Sequence, residues 1–391
     1  MKRIVICADG TWNLRDQVDE TSGKRRPTNV TKLARAVLPA APDGISQVVY
    51  YHSGVGTGGK MDSLTGGAFG QGIEDNIRDL YRFILYNHVD GDELYFFGFS
   101  RGAFTVRSLA GFMSRYGLVP KHDDYYVPEM YRCYAEGIEK GSDEWKSVFV
   151  RADGSERIQE VRGCPPIHFL GVWDTVGALG APGLLGKLFK RDDHHRHHRT
   201  ELTDNIRTAV HALAIDEQRS LFSATLFEKP EHWKGDLHQC WFAGVHSNVG
   251  GSYSPDGLAN VPLHWMARHA QRAGLMLDWN YLSYFTPEPY STLNDSMSAM
   301  YRAMGGPSPR AIGGAPSLCE TVHESVLKRI AGPAADAAVD ARSYSKPDPE
   351  AYPNRPYLPG NLPALNNGRV GGMPVIGMPE LPGETVGAPP A

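Results

Sequence analysis

Ser100, Asp174 and His246 are the residues whose types and spacing could make a nucleophile, an acid and a base. Ser100 stands in Gly98-Phe99-Ser100-Arg101-Gly102, a G-x-S-x-G sequence. Set between a strand and a helix, that turn exposes the serine hydroxyl at its tip, and the glycines leave room where neighbouring backbone comes close. Asp174 lies 74 residues further on and His246 another 72, each just past an apolar run. Serine, acid, histidine is the chain order of the triad in α/β-hydrolases. In such a triad His246 takes the proton of Ser100 and returns it to the leaving group, while Asp174 fixes the imidazole tautomer. An oxyanion hole needs two amides. That of Arg101 follows the serine directly, and the loop after the first strand, Gly10 or Thr11, is the economical source of the second. His323 is the rival base, read as part of a helix, whereas His246 lies in a tight loop marked by Gly244 and Gly250-Gly251.

These side chains need a sheet to carry them. Ile4 to Ala8, Gln47 to Tyr51, Leu94 to Phe97, Ile167 to Trp173 and Leu237 to Val245 read as five buried strands. Helices are expected from Thr28 or Asn29 to Leu38, from Phe69 to His88, from Ala103 to Tyr116, from Thr203 to Ile215 and from Val261 to Ala273. Strands alternating with helices predict an α/β fold, α/β-hydrolase-like, with a mainly parallel sheet flanked by helices. Residues 117–163, 178–200 and 276–318 read as lid-like insertions on a catalytic domain of residues 1–344, followed by a Pro- and Gly-rich extended tail, 345–391. The loop Ser53 to Gly59 lacks the offsets of a Walker or dinucleotide loop. Its Gly54 and Gly56 suit a wall where backbone approaches substrate. Asp9, at the end of the first strand, is grouped with that wall, although it could instead hydrogen-bond its own loop into shape.

Composition bounds the rest. A formal charge of −4 gives no overall bias toward nucleic acid. Five scattered cysteines without a C-x-x-C argue against a disulfide framework or a zinc-thiolate site. The apolar run after Met1-Lys2-Arg3 stops at Asp9, so no cleavable signal peptide is read and cytoplasmic synthesis is expected, with export by a signal-independent route left open. Residues 178–200 combine Leu184, Leu185, Leu188 and Phe189 with basic residues and with His194, His195, His197 and His198. The segment suits either contact with a lipid surface or an exposed loop.

The whole set of motifs resembles the DUF2235 group of α/β-hydrolases, which includes the catalytic domain of type VI secretion phospholipase effectors of the Tle1 kind. The resemblance rests on ICADGTWN, YYHSGVGTGG, FFGFSRGAFTVR, FLGVWDTVGALG, WFAGVHSNVGGSY and the stretch from VHESV to YLPGNLP, spanning residues 4 to 363. It implies a nucleophile, acid and base at Ser100, Asp174 and His246, and a lipid or phospholipid acyl ester as substrate. The family commonly carries Asp where this chain has Asn248. The leading expectation is therefore a serine ester hydrolase acting through an acyl-enzyme, needing no metal and no organic cofactor, with an immunity or secretion partner left open. Two other readings stand beside it. One is metal-assisted phosphoester hydrolysis by Asp9, Asn13, Asp174 and His246. The other is a binding protein on a degenerate hydrolase fold.

Overall fold

The computed structural model describes residues 1–177, 202–332 and 357–381, except 11–12, 14–15, 17, 19–22, 24, 55–65, 152, 159–160, 299–300, 303–305 and 315. The expected segment 178–200 with its histidines, Thr11 and Gly56 lie outside the described residues.

A ten-stranded sheet runs through the described residues. Its strands are β1 (Arg3–Ala8), β2 (Gln47–His52), β3 (Glu93–Phe99), β4 (Ile167–Trp173), β5 (Thr208–Ala214), β6 (Asp236–Phe242), β7 (Glu320–His323), β8 (Leu365–Asn366), β9 (Arg369–Val370) and β10 (Met373–Ile376). The order is β2-β1-β3-β4-β5-β6-β7-β10-β9-β8. Neighbours are parallel from β2 through β10, and β9 pairs antiparallel with both β10 and β8. Chain order reverses at β1, which has β2 on one side and β3 on the other. A crevice at the carboxyl ends of the strands beside such a switch point is where open parallel sheets hold ligands.

The helices are α1 (Asn29–Ala36), α2 (Gly66–Asn87), α3 (Arg101–Tyr116), α4 (Val127–Ala135), α5 (Asp143–Phe149), α6 (His246–Gly250), α7 (Gly257–Arg272), α8 (Trp279–Leu282) and α9 (Glu324–Ala331). Alternating strand residues face opposite layers. Ile4, Ile6, Leu94 and Phe96 pack with Ile77, Leu80 and Ile84 of α2 and Val106, Leu109 and Phe112 of α3. Val5, Cys7, Tyr95 and Phe97 pack on the other side with Val30 and Leu33 of α1 and Trp265 and Met266 of α7. The fold is thus an α/β sheet covered by helices on both faces.

Three expectations need correction. The helix expected over Thr203 to Ile215 is β5, whose residues are buried on both faces in the middle of the sheet. Such a strand shows no polar alternation, and its alanines imitate a helix former. His323 does not lie in a helix but ends β7 and caps α9, with Nδ1 accepting from the Ser325 amide at 3.2 Å. The C-terminal stretch is not simply an extended tail. Residues 365–376 complete the sheet, and Val370 and Met373 join a third core with Trp241 and Val322.

Candidate active site

Each candidate stands where a parallel strand delivers its last residue. Ser100 follows β3, Asp174 follows β4, and His246 opens α6 just beyond β6. Ser100 has φ 58° and ψ −121°, a conformation disfavoured for a residue with a side chain. Its amide donates to the carbonyl of Trp173 at 3.1 Å, so the serine turn is tied to the residue before Asp174. The ring of Phe99 lies 4.6 Å from that of His246, which brings the histidine to the other flank of the turn.

The glycines act by absence. A Cβ on Gly98 would lie 2.6 Å from Ala103 Cα, and one on Gly102 would lie 2.6 Å from the Asp9 carbonyl oxygen. Gly10 is packed too, because its Cβ would stand 3.2 Å from Ser100 Cβ. The loop after β1 therefore rests directly on the serine. Asp9 shapes that loop from beneath. Its Oδ1 accepts from the Gly10 amide at 2.8 Å, while Oδ2 accepts from the hydroxyls of Thr28 at 2.6 Å and Tyr51 at 2.7 Å. Asp9 is only 3% exposed, and both of its carboxylate oxygens are engaged within this corner of the fold. The Gly10 N–H is thus committed to the Asp9 carboxylate. Gly54 joins the same corner, its amide donating to the carbonyl of Asn13 at 3.3 Å.

Asp174 is fully buried with φ 42°. Its Oδ2 accepts from His246 Nδ1 at 2.6 Å, and its Oδ1 accepts from the Ala214 amide at 2.9 Å. Arg310 grips both oxygens, Nη1 to Oδ1 at 2.6 Å and Nη2 to Oδ2 at 2.9 Å. Burial works against a charge on Asp174, but Arg310 and then His246 outweigh it and hold the carboxyl well below the ordinary carboxylate range. For His246 burial dominates and pulls the imidazole below its ordinary value, with Asp174 and Glu217 opposing. The ring is neutral at pH 7, Nδ1–H donating to Asp174 and Nε2 left to accept.

The backbone around the histidine is held by residues that sequence reasoning missed. Glu217, buried just past β5, accepts from the His246 amide at 3.2 Å, from Ser296 Oγ at 2.9 Å and from Arg219 Nη2 at 2.8 Å. Arg219 lies 3.5 Å over the ring of Phe222, whose edge meets the His246 ring at 5.0 Å. Asp216 accepts from the Gly244 amide at 2.6 Å and from Tyr357 Oη at 2.8 Å, joining the C-terminal segment to the histidine loop. Asn248 is served as an amide. Its Oδ1 accepts from the amides of Val245 and Asn294, and its Nδ2 donates to the carbonyl of Thr292 at 3.1 Å, which a carboxylate could not do.

His323 is stacked on Phe242, with Nδ1 bonded to Ser325, and burial pushes it down to about 4. Among the described residues no three His, Cys, Asp or Glu side chains converge as a metal shell, and the position beside Asp174 is held by the Arg310 guanidinium. Among the same residues no helix is long and apolar enough to cross a membrane.

Comparison with known proteins bears on what this arrangement belongs to. The uncharacterized protein YEL023C of Saccharomyces cerevisiae is 29% identical over 252 residues, covering 58% of this chain and 33% of that one, so the chain spans about a third of this relative. A crystal structure of an uncharacterized protein from Pseudomonas aeruginosa is 19% identical with a TM-score of 0.45, covering 74% of this chain and 49% of that one. The structure of the Tle1 effector bound to the VgrG spike of the Type 6 secretion system is 16% identical with a TM-score of 0.38, covering 73% of this chain and 76% of that one. Residues 2–269 match the family model described as T6SS, phospholipase effector Tle1-like, catalytic domain. The chain belongs to the family of Tle1-like phospholipase effector catalytic domains.

Proposed function

We propose that this protein is a serine hydrolase that cleaves carboxylic esters, with a lipid or phospholipid acyl ester as substrate. The observation that carries the reading is the buried Asp174–His246 hydrogen bond of 2.6 Å at strand ends flanking a serine with positive φ. In this scheme Ser100 Oγ attacks the ester carbonyl as its proton passes to His246 Nε2. Negative charge on the carbonyl oxygen is met by the amides of Arg101, at the N-terminal end of α3, and Thr11. Collapse breaks the carbonyl–alkoxy bond, His246 returns the proton to the leaving alcohol, and an acyl group remains on Ser100. Water, deprotonated by the same imidazole, then releases the acid. No metal or organic cofactor enters the scheme.

The lipid assignment rests on the family, whose description names a phospholipase effector. The same description supports export through a type VI secretion system after synthesis in the cytoplasm, with a lipid surface as the place of action. The test is a panel of soluble esters, triacylglycerols and diacyl phospholipids presented in vesicles or detergent, followed by mass spectrometry of released fatty acid. Wild type should release fatty acid from phospholipid and Ser100→Ala should not. Equal release by both would remove the nucleophile, and release from soluble esters alone would remove the lipid assignment.

A further inference from the structure

Arg310 lies in the stretch 276–318, whose irregular, aromatic sequence suggests no more than a cover. Its side chain is 5% exposed. The guanidinium meets Asp174 fork to fork, at 2.6 and 2.9 Å, so it fixes the rotation of the carboxylate as well as pairing its charge. The arginine is itself held in place. Nη1 donates to the Ala214 carbonyl at 2.8 Å, Nη2 to the Phe222 carbonyl at 2.6 Å, and Asn361 Nδ2 donates to the Arg310 carbonyl at 3.1 Å. With Arg310 on both oxygens and the Ala214 amide on Oδ1, the remaining direction on Oδ2 is the one His246 Nδ1 occupies. A buried ion pair is a poor device for stability alone, since packed apolar residues serve that purpose as well. Its use must then lie in what it does to the acid.

We propose that Arg310 is a positioning residue of the Ser100–His246–Asp174 triad: its fork sets the rotation of Asp174 and shares its negative charge, so that His246 stays a neutral, correctly oriented base. This rests on the serine hydrolase reading above.

Other groups facing the pair do not substitute for it. On the histidine side stand Glu217, already bonded to Arg219, and the rings of Phe99 and Phe222. Tyr253 and Tyr301 lie around Arg219, and Tyr301 also faces Arg101. On the acid side His211 of β5 accepts the Thr175 amide through Nε2 at 3.1 Å and is therefore neutral. Removing the guanidinium leaves the whole charge of Asp174 to His246. The imidazole then keeps its proton to higher pH and cannot take one from Ser100.

The test is the rate of Ser100 labelling by a fluorophosphonate from pH 5 to 9, counted per folded molecule by intact mass and circular dichroism. Wild type, Arg310→Met and Arg310→Lys are compared. Wild type should show an acid limb at or below about pH 6.5. In Arg310→Met the limb should rise by about one pH unit, slowing labelling at pH 7 by up to about threefold from protonation alone. Arg310→Lys keeps the charge without the fork, so its limb should stay while its plateau rate falls about tenfold or more. A role in folding alone would lower the yield of folded protein and move neither limb nor plateau. Should Arg310→Met fail to fold, Arg310→Lys and the wild-type limb decide. Unchanged limb and plateau in the folded variants, or a wild-type limb above about pH 7.5, would overturn the proposal. A wild-type protein that takes no label at any pH would sink the serine hydrolase reading, and the proposal with it.

Discussion

Gly102→Ala is the smallest change that sets the close packing around Ser100 against an opposing preference. Gly102 lies in the first turn of α3, and in an open helix alanine is favoured over glycine by about 1 kcal/mol. Here the added methyl would point into β1. It would stand 2.6 Å from both Ala8 C and the Asp9 carbonyl oxygen, and it would collide with the Ala8 carbonyl oxygen. Those atoms are backbone in a strand paired on both sides, so they cannot swing away as a side-chain tip would. Reaching even a 3.0 Å contact with the Ala8 carbonyl oxygen requires a shift of nearly an ångström between strand and helix. Overpacking of this kind costs about 1–3 kcal/mol, which exceeds the propensity gain. The urea midpoint should therefore fall at unchanged slope, and fluorophosphonate labelling should slow because the loop after β1 is pushed off the serine. Gly163→Ala, where nothing lies within 4 Å of the new Cβ, is the control and should stay within about 0.5 kcal/mol. A Gly102→Ala protein as stable and as readily labelled as wild type would refute the packing argument.

His211 should make stability depend on pH. Burial, with Arg107 nearby, lowers it to about 3, so its contribution is fully present above the unfolded value of about 6.5 and is lost as pH falls toward 3. Denaturation midpoints should show a slope of about 1.4 kcal/mol per pH unit in that window that is absent from His211→Gln, and an identical slope in the variant would contradict the assignment. Tyr357→Phe should cost about 1 kcal/mol, because half-buried Asp216 loses the 2.8 Å bond from its hydroxyl, and hydrogen exchange at Gly244 and Val245 should quicken. No change at those amides would mean that the C-terminal segment does not brace the histidine loop. Asp174→Asn should remove stability that wild type holds above about pH 4 and loses as pH falls toward the depressed value of the carboxyl, so the acid-unfolding curves of the two should converge at low pH. Curves that run parallel down to acid would refute the Arg310–Asp174 pairing.

Much of the sheet was legible because its strands bury continuous apolar runs. RIVICA, ELYFFGF and IHFLGVW leave little choice, and each is followed at once by a polar residue, Asp9, Ser100 and Asp174. TAVHALA was not legible, since a central strand buried on both faces loses its alternation and three alanines suit a helix equally well. That miss also hid Glu217, which lies just past the end of the same strand. The C-terminal hairpin did carry a signal: Asn367-Gly368, with φ of 51° and 71°, is the pair that tight hairpins select, but the surrounding Pro and Gly composition outweighed it. Arg310 had no local signal at all. Its partner is 136 residues away, and neither periodicity nor spacing says which buried carboxylate an arginine in an irregular segment will meet.

The central claim is that Ser100 is an activated nucleophile served by His246. Intact-mass spectrometry after fluorophosphonate treatment of wild type, Ser100→Ala and His246→Ala tests it most directly. The account predicts a single adduct on wild type, none on Ser100→Ala and a much slower one on His246→Ala. An adduct of equal rate on all three, or none on folded wild type even with detergent present, would contradict it.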